Sequence, residues 1–153
     1  MAERWYFDTG IFVTPILRNL PPDIVAACLE WQRRARDGGI EAVTCTLTWD
    51  EVAWIAGKPR KDARYDPERA AEAGRLLLQL PGLRFEPVDR GIVEEAERIV
   101  ASHRLRPRDG IHAAAALALA DARIVTVDPD FDPLSGAEGI GLHVTRLAAA
   151  AGR

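Results

Sequence analysis

The chain has little of what marks secreted or membrane proteins. Only two of its 153 residues are cysteines, Cys28 and Cys45, and both lie in apolar segments. Two such thiols exclude a disulfide framework and favour a reducing compartment. No run of about 18 uncharged apolar residues occurs, so we expect no membrane-spanning segment. The N-terminus also lacks the basic and apolar regions of a signal peptide, and we therefore expect a cytoplasmic protein.

Lysine is nearly absent, since Lys58 and Lys61 are the only two, and arginine carries most of the basic charge. The net charge of −3 is unusual for a protein that binds nucleic acid. If four carboxylates converge on one site, however, the rest of the chain is slightly positive, so the net charge does not exclude a phosphate-bearing substrate. The sequence also lacks a glycine-rich phosphate loop, which argues against a nucleoside triphosphatase.

Apolar segments of strand length alternate with amphipathic segments of helix length along the chain. The predicted strands cover residues 4–7, 41–47, 83–88, 123–127 and 142–145. The predicted helices cover about residues 21–37, 48–56, 67–80, 89–103 and 109–120, and residues 8–10 are predicted to form a turn. Strands separated by helices imply right-handed crossovers and parallel pairing. We therefore predict one α/β domain over residues 1–153, with three α/β/α layers and a mainly parallel central sheet of four to five strands.

Four acidic residues fall where a parallel sheet binds its ligands, beyond the carboxyl ends of the strands. Asp8 and Asp128 each follow a predicted strand directly. Glu51 lies in the first turn after the second strand, and Asp109 lies in the first turn of the helix that leads into the fourth strand. All four are therefore expected at one rim of the sheet. Such a group repels itself, and a divalent cation with oxygen ligands, Mg²⁺ or Mn²⁺, would relieve the repulsion.

Three of these acids also have a purely structural interpretation. Residues 48–51 match a capping box, with Thr48 as the N-cap and Glu51 three positions later. Asp109 near a helix N-terminus gains from the helix dipole with or without a metal. Residues 128–130, Asp-Pro-Asp, match a turn. Asp8 ends a strand of large apolar residues and has no obvious cationic partner in the sequence. The argument for a metal is that all four acids are expected at the same rim.

Four segments resemble the PIN domain, in particular the VapC-type toxins of bacterial and archaeal toxin–antitoxin pairs. They are residues 7–9 (FDT), 48–51 (TWDE), 108–114 (RDGIHAA) and 124–131 (IVTVDPDF). The last two are the more specific, and the resemblance extends from about residue 4 to residue 132. Two features are less typical of the family, namely a long polar loop at residues 58–66 and a glycine-containing segment after Phe131.

The resemblance implies a parallel α/β/α fold and a metal-dependent endoribonuclease that uses Mg²⁺ or Mn²⁺. It assigns metal-ligand and catalytic roles to Asp8, Glu51, Asp109 and Asp128, an additional acidic position to Asp130, and supporting hydroxyls to Thr9 and Thr126. It also implies a homodimer and inhibition by a cognate antitoxin protein. A metal-activated water would attack the phosphodiester in line and leave 5′-phosphate and 3′-hydroxyl ends. Because this nucleophile does not need the ribose 2′-hydroxyl, the expectation of an RNA substrate rests on the resemblance alone.

Several further residues have two interpretations each. Two basic clusters either contact the RNA backbone or form solvated surface; they are Arg104, Arg106 and Arg108, and Lys58, Arg60, Lys61 and Arg64. His112, three residues after Asp109, either touches the substrate or a water, or packs within its helix. Trp49 and Trp54 either pack on the sheet or form a dimer or antitoxin groove.

The sequence is also compatible with other functions. The same fold can serve as a PIN-type RNA-processing nuclease without an antitoxin, or as a non-catalytic binding or scaffold module. A receiver domain or a haloacid-dehalogenase-like phosphatase fits poorly, because the first strand ends in the single acid Asp8 and residue 10 is glycine.

Overall fold

The computed structural model describes residues 2–149. The strands are β1 (Glu3–Phe7), β2 (Ile40–Cys45), β3 (Leu83–Glu86), β4 (Arg123–Thr126) and β5 (His143–Arg146). The helices are α1 (Gly10–Leu17), α2 (Pro22–Arg36), α3 (Thr46–Gly57), α4 (Pro67–Leu78), α5 (Arg90–His103) and α6 (Pro107–Leu117), with a 3₁₀ segment at Pro129–Leu134. The domain limits of 1–153 also include Met1 and residues 150–153, which lie outside the described part of the chain.

The strands form one parallel sheet in the order β3-β2-β1-β4-β5. Tyr6 in the central strand pairs with Val43 on one side and with Ile124 on the other. The connections run outwards in one direction from β1 to β3 and in the other from β4 to β5. The order therefore reverses between β1 and β4, which is the position where open parallel sheets form a ligand crevice.

Both faces of the sheet are covered by helices, and side chains alternate between the two faces along each strand. Trp5 and Phe7 pack with residues of α1 and α2, whereas Tyr6 between them packs with residues of α5 and α6. Large side chains buried on both faces each contribute about 1.5–3 kcal/mol. The prediction of three α/β/α layers around a mainly parallel sheet is confirmed.

Helix α6 has its two acidic and basic residues, Arg108 and Asp109, in the first turn, and most of the rest of the helix is buried inside the domain. Residues 113–116 are four consecutive alanines, and all are buried. Gly110 allows α5 to come close, since a Cβ atom there would lie 2.5 Å from Val100 Cγ2. The helix begins at Pro107, two residues before the predicted start, because proline is well suited to the first turn of a helix. This close packing fixes the position of the helix N-terminus, which carries Asp109.

One local prediction is wrong, and one helix was not predicted. Residues 8–10 contain the predicted turn, in which the Ile11 N–H donates to the carbonyl oxygen of Asp8 at 3.0 Å, but this turn leads directly into α1, which begins at Gly10. Helix α3 begins at Thr46, two residues earlier than predicted, so Thr48 is not an N-cap. The Thr48 hydroxyl is buried instead and shares a hydrogen bond of 2.7 Å with Thr44 Oγ1. The capping-box interpretation of Glu51 therefore does not hold.

Among residues 2–149, no helix has both the length and the apolar character needed to cross a membrane.

Candidate functional site

Asp8 and Asp128 lie at the carboxyl ends of the two neighbouring central strands. The backbone N–H of Asp8 donates to the carbonyl oxygen of Val125 at 3.1 Å. Asp8 is only 6% exposed, and its Oδ2 accepts a hydrogen bond of 2.7 Å from Thr126 Oγ1. The same threonine hydroxyl accepts a bond of 3.0 Å from the backbone N–H of Asp128. Thr126 thus links the two acidic positions across the end of β4.

Three carboxylates converge at this rim. Asp109, Asp128 and Asp130 each place one carboxylate oxygen so that all three atoms lie within 4.8 Å of one another. Asp109 comes from the first turn of α6, and the two others come from the start of the 3₁₀ segment. Asp128 Oδ1 accepts a bond of 2.9 Å from the Asp130 backbone N–H, which shapes this turn. Asp128 is thus both a turn residue and a member of the carboxylate cluster.

The electrostatics of the cluster favour a bound cation. Burial, followed by the negative charges of Asp128, Asp8 and Asp130, raises the pKa of Asp109 to about 6. Burial also raises the pKa of Asp8. Both shifts mean that ionising these groups costs free energy when no positive charge is present. The donor set consists of carboxylate oxygens, which fits a hard divalent ion such as Mg²⁺ or Mn²⁺.

Glu51 is not a member of this three-carboxylate cluster. Its Oε1 accepts hydrogen bonds from Thr9 Oγ1 at 3.0 Å and from His112 Nε2 at 2.5 Å. Burial alone would raise the pKa of Glu51, but the hydrogen bond and the charge of His112 outweigh it, so that the pKa is lowered. Among the described residues, none donates a hydrogen bond to Oε2 of Glu51. One oxygen of Glu51 is therefore fixed and the other is available.

His112 lies beneath the site, behind Glu51 and Asp8, and is only 1% exposed. Its Nε2 is 3.8 Å from Asp8 Oδ1, and its Nδ1 is 2.7 Å from the hydroxyl oxygen of Tyr6. Burial would lower the pKa of His112, but Tyr6, Cys45, Glu51 and Asp8 favour its protonated form and raise the pKa well above the usual value. Because Glu51 is an ionised acceptor, Nε2 must carry the proton of their hydrogen bond.

The sequence left the role of His112 open between packing and substrate contact, and the structure shows a packed histidine. The spacing of three residues from Asp109 places His112 on the same side of α6. Tyr6 was missed as a partner, although the period of two along β1 puts it on the α6 face. His112 of α6 meets Glu51 of α3 at the rim of the sheet, and the sequence does not reveal how close these two side chains come.

The residues predicted as RNA contacts are mainly exposed. Arg104 and Arg106 flank the buried Leu105 in the segment before α6, and Arg108 lies in the first turn of that helix. The positive charge of Arg108 contributes to the lowered pKa of Glu51, so this arginine acts on the site. Lys58, Arg60 and Lys61 lie in the connection between α3 and α4.

The protein is an α/β domain with a five-stranded parallel sheet. A carboxylate cluster lies where the strand order reverses, which makes it a candidate metal-binding domain. The family model of the PIN domain matches residues 5–136, and the chain belongs to this family. No curated protein matches the chain.

Solved structures share the fold at low sequence identity. VapBC2 from Rickettsia felis, bound to a DNA fragment from its promoter, is 16% identical with a TM-score of 0.63, and the match covers 94% of this chain and 98% of that one. A toxin–antitoxin complex from Klebsiella pneumoniae is 19% identical with a TM-score of 0.59, covering 86% and 92%. VapBC-5 from Mycobacterium tuberculosis, of the VapBC family of toxin–antitoxin systems, is 18% identical with a TM-score of 0.57, covering 94% and 98%.

Proposed function

We propose that this PIN domain is a metal-dependent endoribonuclease and the toxin of a toxin–antitoxin pair. The convergence of Asp109, Asp128 and Asp130 beside the buried Asp8 is the observation that carries the nuclease proposal. Membership of the PIN family supports it. The toxin proposal is supported by the similar structures, which are toxin–antitoxin systems.

Asp109, Asp128, Asp130 and Asp8 would hold Mg²⁺ or Mn²⁺. When bound, such an ion lowers the pKa of a coordinated water and neutralises charge on the phosphate. Glu51 is directed by Thr9 and His112 rather than by the cluster. Its lowered pKa keeps it ionised at neutral pH. We therefore assign to Glu51 the role of accepting a proton from the attacking water, through Oε2, in place of direct metal ligation.

The basic residues at the rim would hold the RNA. Arg104, Arg106 and Arg108 lie on the segment that enters α6, and guanidinium groups bind phosphate oxygens in a forked geometry. With water as the nucleophile and the 3′ oxygen as the leaving group, the products carry 5′-phosphate and 3′-hydroxyl ends. We further propose that the protein binds an antitoxin protein, forms a homodimer and is located in the cytoplasm.

Cleavage of a defined RNA pool in Mg²⁺, Mn²⁺ or EDTA tests this function. We expect cleavage by the wild type with either ion, and a loss of at least about 100-fold in EDTA or in Asp109→Asn. Asp50→Asn is the matched control, because Asp50 is exposed on α3 next to Glu51. Cleavage that persists in EDTA and in Asp109→Asn, or products with 2′,3′-cyclic phosphate ends, would contradict the proposal.

A further inference from the structure

Two large aromatic side chains stack on one another at the surface of the domain. Trp54 is 52% exposed and Tyr65 is 44% exposed. Their ring centroids are 5.3 Å apart and their planes differ by 24°. Aromatic residues usually bury most of their surface in a core or an interface. Here the rings bury only part of each other, and the remaining surface faces solvent.

The backbone holds this pair in place. The N–H of Asp66 donates to the carbonyl oxygen of Gly57 at 2.9 Å, which closes the loop of residues 58–66 at its base. A Cβ atom at Gly57 would lie 2.7 Å from Cε2 of Tyr65, so glycine is needed for the ring to lie against the end of α3. Asp66 also caps α4 by accepting hydrogen bonds from the N–H groups of Glu68 and Arg69. The stack is therefore part of the fold.

The loop of residues 58–66 is basic, because it carries four cations and two acids. It contains Lys58, Arg60, Lys61 and Arg64. None of these four cations forms an ion pair with a residue in the range 2–149, whereas eight arginines elsewhere in that range do. One of the two loop acids, Asp66, is already engaged as the cap. The surface therefore combines open aromatic rings with free positive charge, which suits a polyanion that carries aromatic bases.

The pair also lies close to the carboxylate site. Trp54 follows Glu51 by three residues in α3, so the two side chains occupy neighbouring positions on one side of the helix. At 1.5 Å per residue, they are separated by about 4.5 Å along the helix axis. The rings and the loop cations thus continue from Glu51 toward the C-terminal end of α3.

We propose that Trp54, Tyr65 and the cations of the loop form a subsite for single-stranded RNA beside the catalytic carboxylates. A base of the substrate stacks on the exposed ring surface, and the flanking phosphates contact the loop cations. The substrate is single-stranded because the bases of an RNA duplex are stacked within the helix and do not reach such a ring. This inference rests on the proposed ribonuclease function, and the experiment below separates the two.

The test uses the full chain and an unstructured, end-labelled RNA of about 16 nucleotides. Fluorescence anisotropy in EDTA gives Kd, and cleavage in Mn²⁺ gives KM and kcat. We expect Trp54→Ala and Tyr65→Ala to raise Kd and KM by about tenfold. We expect kcat to stay within about twofold, since the loss concerns ground-state binding. Trp54→Phe keeps a stacking face and should retain most of the affinity.

Trp49→Phe is the matched control, because Trp49 is also partly exposed on α3 but packs on Gly74 of α4. The double variant Arg60→Ser/Lys61→Ser changes only exposed side chains, so it tests the subsite without a risk to the core. It should raise Kd and make binding less dependent on salt.

Unchanged Kd and KM in Trp54→Ala would overturn the subsite. The subsite would also be overturned if Trp54→Ala bound RNA as the wild type does but differed from it in molar mass by light scattering. The rings would then form a protein interface. If the wild type cleaves RNA and Trp54 has no effect, the subsite fails and the function stands. If the wild type binds RNA through Trp54 without cleaving it, the function fails and the subsite stands, and an absence of both binding and cleavage overturns both.

Discussion

The carboxylate of Glu51 illustrates how a buried residue can set the chemistry of a half-buried one. His112 and Thr9 both donate to Oε1, which fixes the rotamer of Glu51 and leaves Oε2 as its only open acceptor. The hydroxyl of Tyr6 contacts the other ring nitrogen of His112 and fixes the plane of the imidazole. A chain of hydrogen bonds from Tyr6 to Glu51 thus supports the position from which Glu51 would accept a proton.

Replacing His112 tests this positioning role. We expect His112→Leu to lower kcat for RNA cleavage by about 10- to 100-fold, as loss of a supporting partner does in metal sites, with little change in KM. His112→Gln keeps an N–H donor near the position of Nε2 and should recover part of the rate. Because removing the ring takes away the partner of the buried Tyr6 hydroxyl and leaves Glu51 Oε1 with Thr9 as its remaining donor, His112→Leu should also lower stability by about 1–3 kcal/mol.

His103→Gln is the control, since His103 ends α5 without a contact to the site. A wild-type kcat in His112→Leu would show that Glu51 does not depend on the histidine.

At the scale of the elements, the strands and most helices could be predicted from the sequence because each begins and ends at a clear signal. Asp89, for example, caps α5 by accepting from the backbone N–H of Ile92. Helix α1 could not be predicted in this way. Its sequence, GIFVTPIL, is almost uniformly apolar and contains Pro15, so it has neither amphipathic period nor a helix-like composition. Burial of Ile11, Phe12, Val13 and Thr14 against the sheet outweighs these local preferences.

The contact between α5 and α6 gives a prediction about the scaffold that presents Asp109. In Gly110→Ala the new methyl group would meet Val100 Cγ2 at 2.5 Å and the carbonyl oxygen of Ala96 at 3.1 Å. We expect a loss of about 1–3 kcal/mol in the free energy of unfolding, measured by urea denaturation. The double variant Gly110→Ala/Val100→Ala should lose less than the sum of the two single variants, because it removes the closest clash. A Gly110→Ala protein as stable as the wild type would mean that the two helices are not packed this closely.

For the whole molecule, topology explains how much of the site could be predicted. The strand order puts the ends of β1 and β4 side by side, so the pattern of strands and helices already places Asp8 and Asp128 at the same rim, where Thr126 links them. The direction in which Glu51 points, by contrast, depends on His112, which arrives from α6. Element prediction places residues at a rim but does not orient their side chains within it. The division of roles between the three-carboxylate cluster and Glu51 therefore required the structure.

The balance of charge at this rim also determines how stability should depend on pH. The pKa of Asp109 is raised from 3.8 to about 6 in the folded chain. A group with a raised folded-state pKa stabilises the fold below its unfolded pKa, and that contribution is lost as the pH rises through the folded value. Without a divalent ion, the ionised Asp109 should therefore destabilise the protein at pH 7, and an ion held by the cluster should remove this penalty.

Thermal unfolding at pH 7, with EDTA or with Mn²⁺, tests most directly whether these carboxylates are crowded enough to need a cation. In EDTA we expect Asp109→Asn to melt about 2–4 °C above the wild type, because it removes one of the repelling charges. Mn²⁺ should raise the Tm of the wild type and have little effect on Asp109→Asn, and Asp50→Asn should behave as the wild type in both conditions. A lower Tm for Asp109→Asn in EDTA, together with an equal effect of Mn²⁺ on both proteins, would contradict the account.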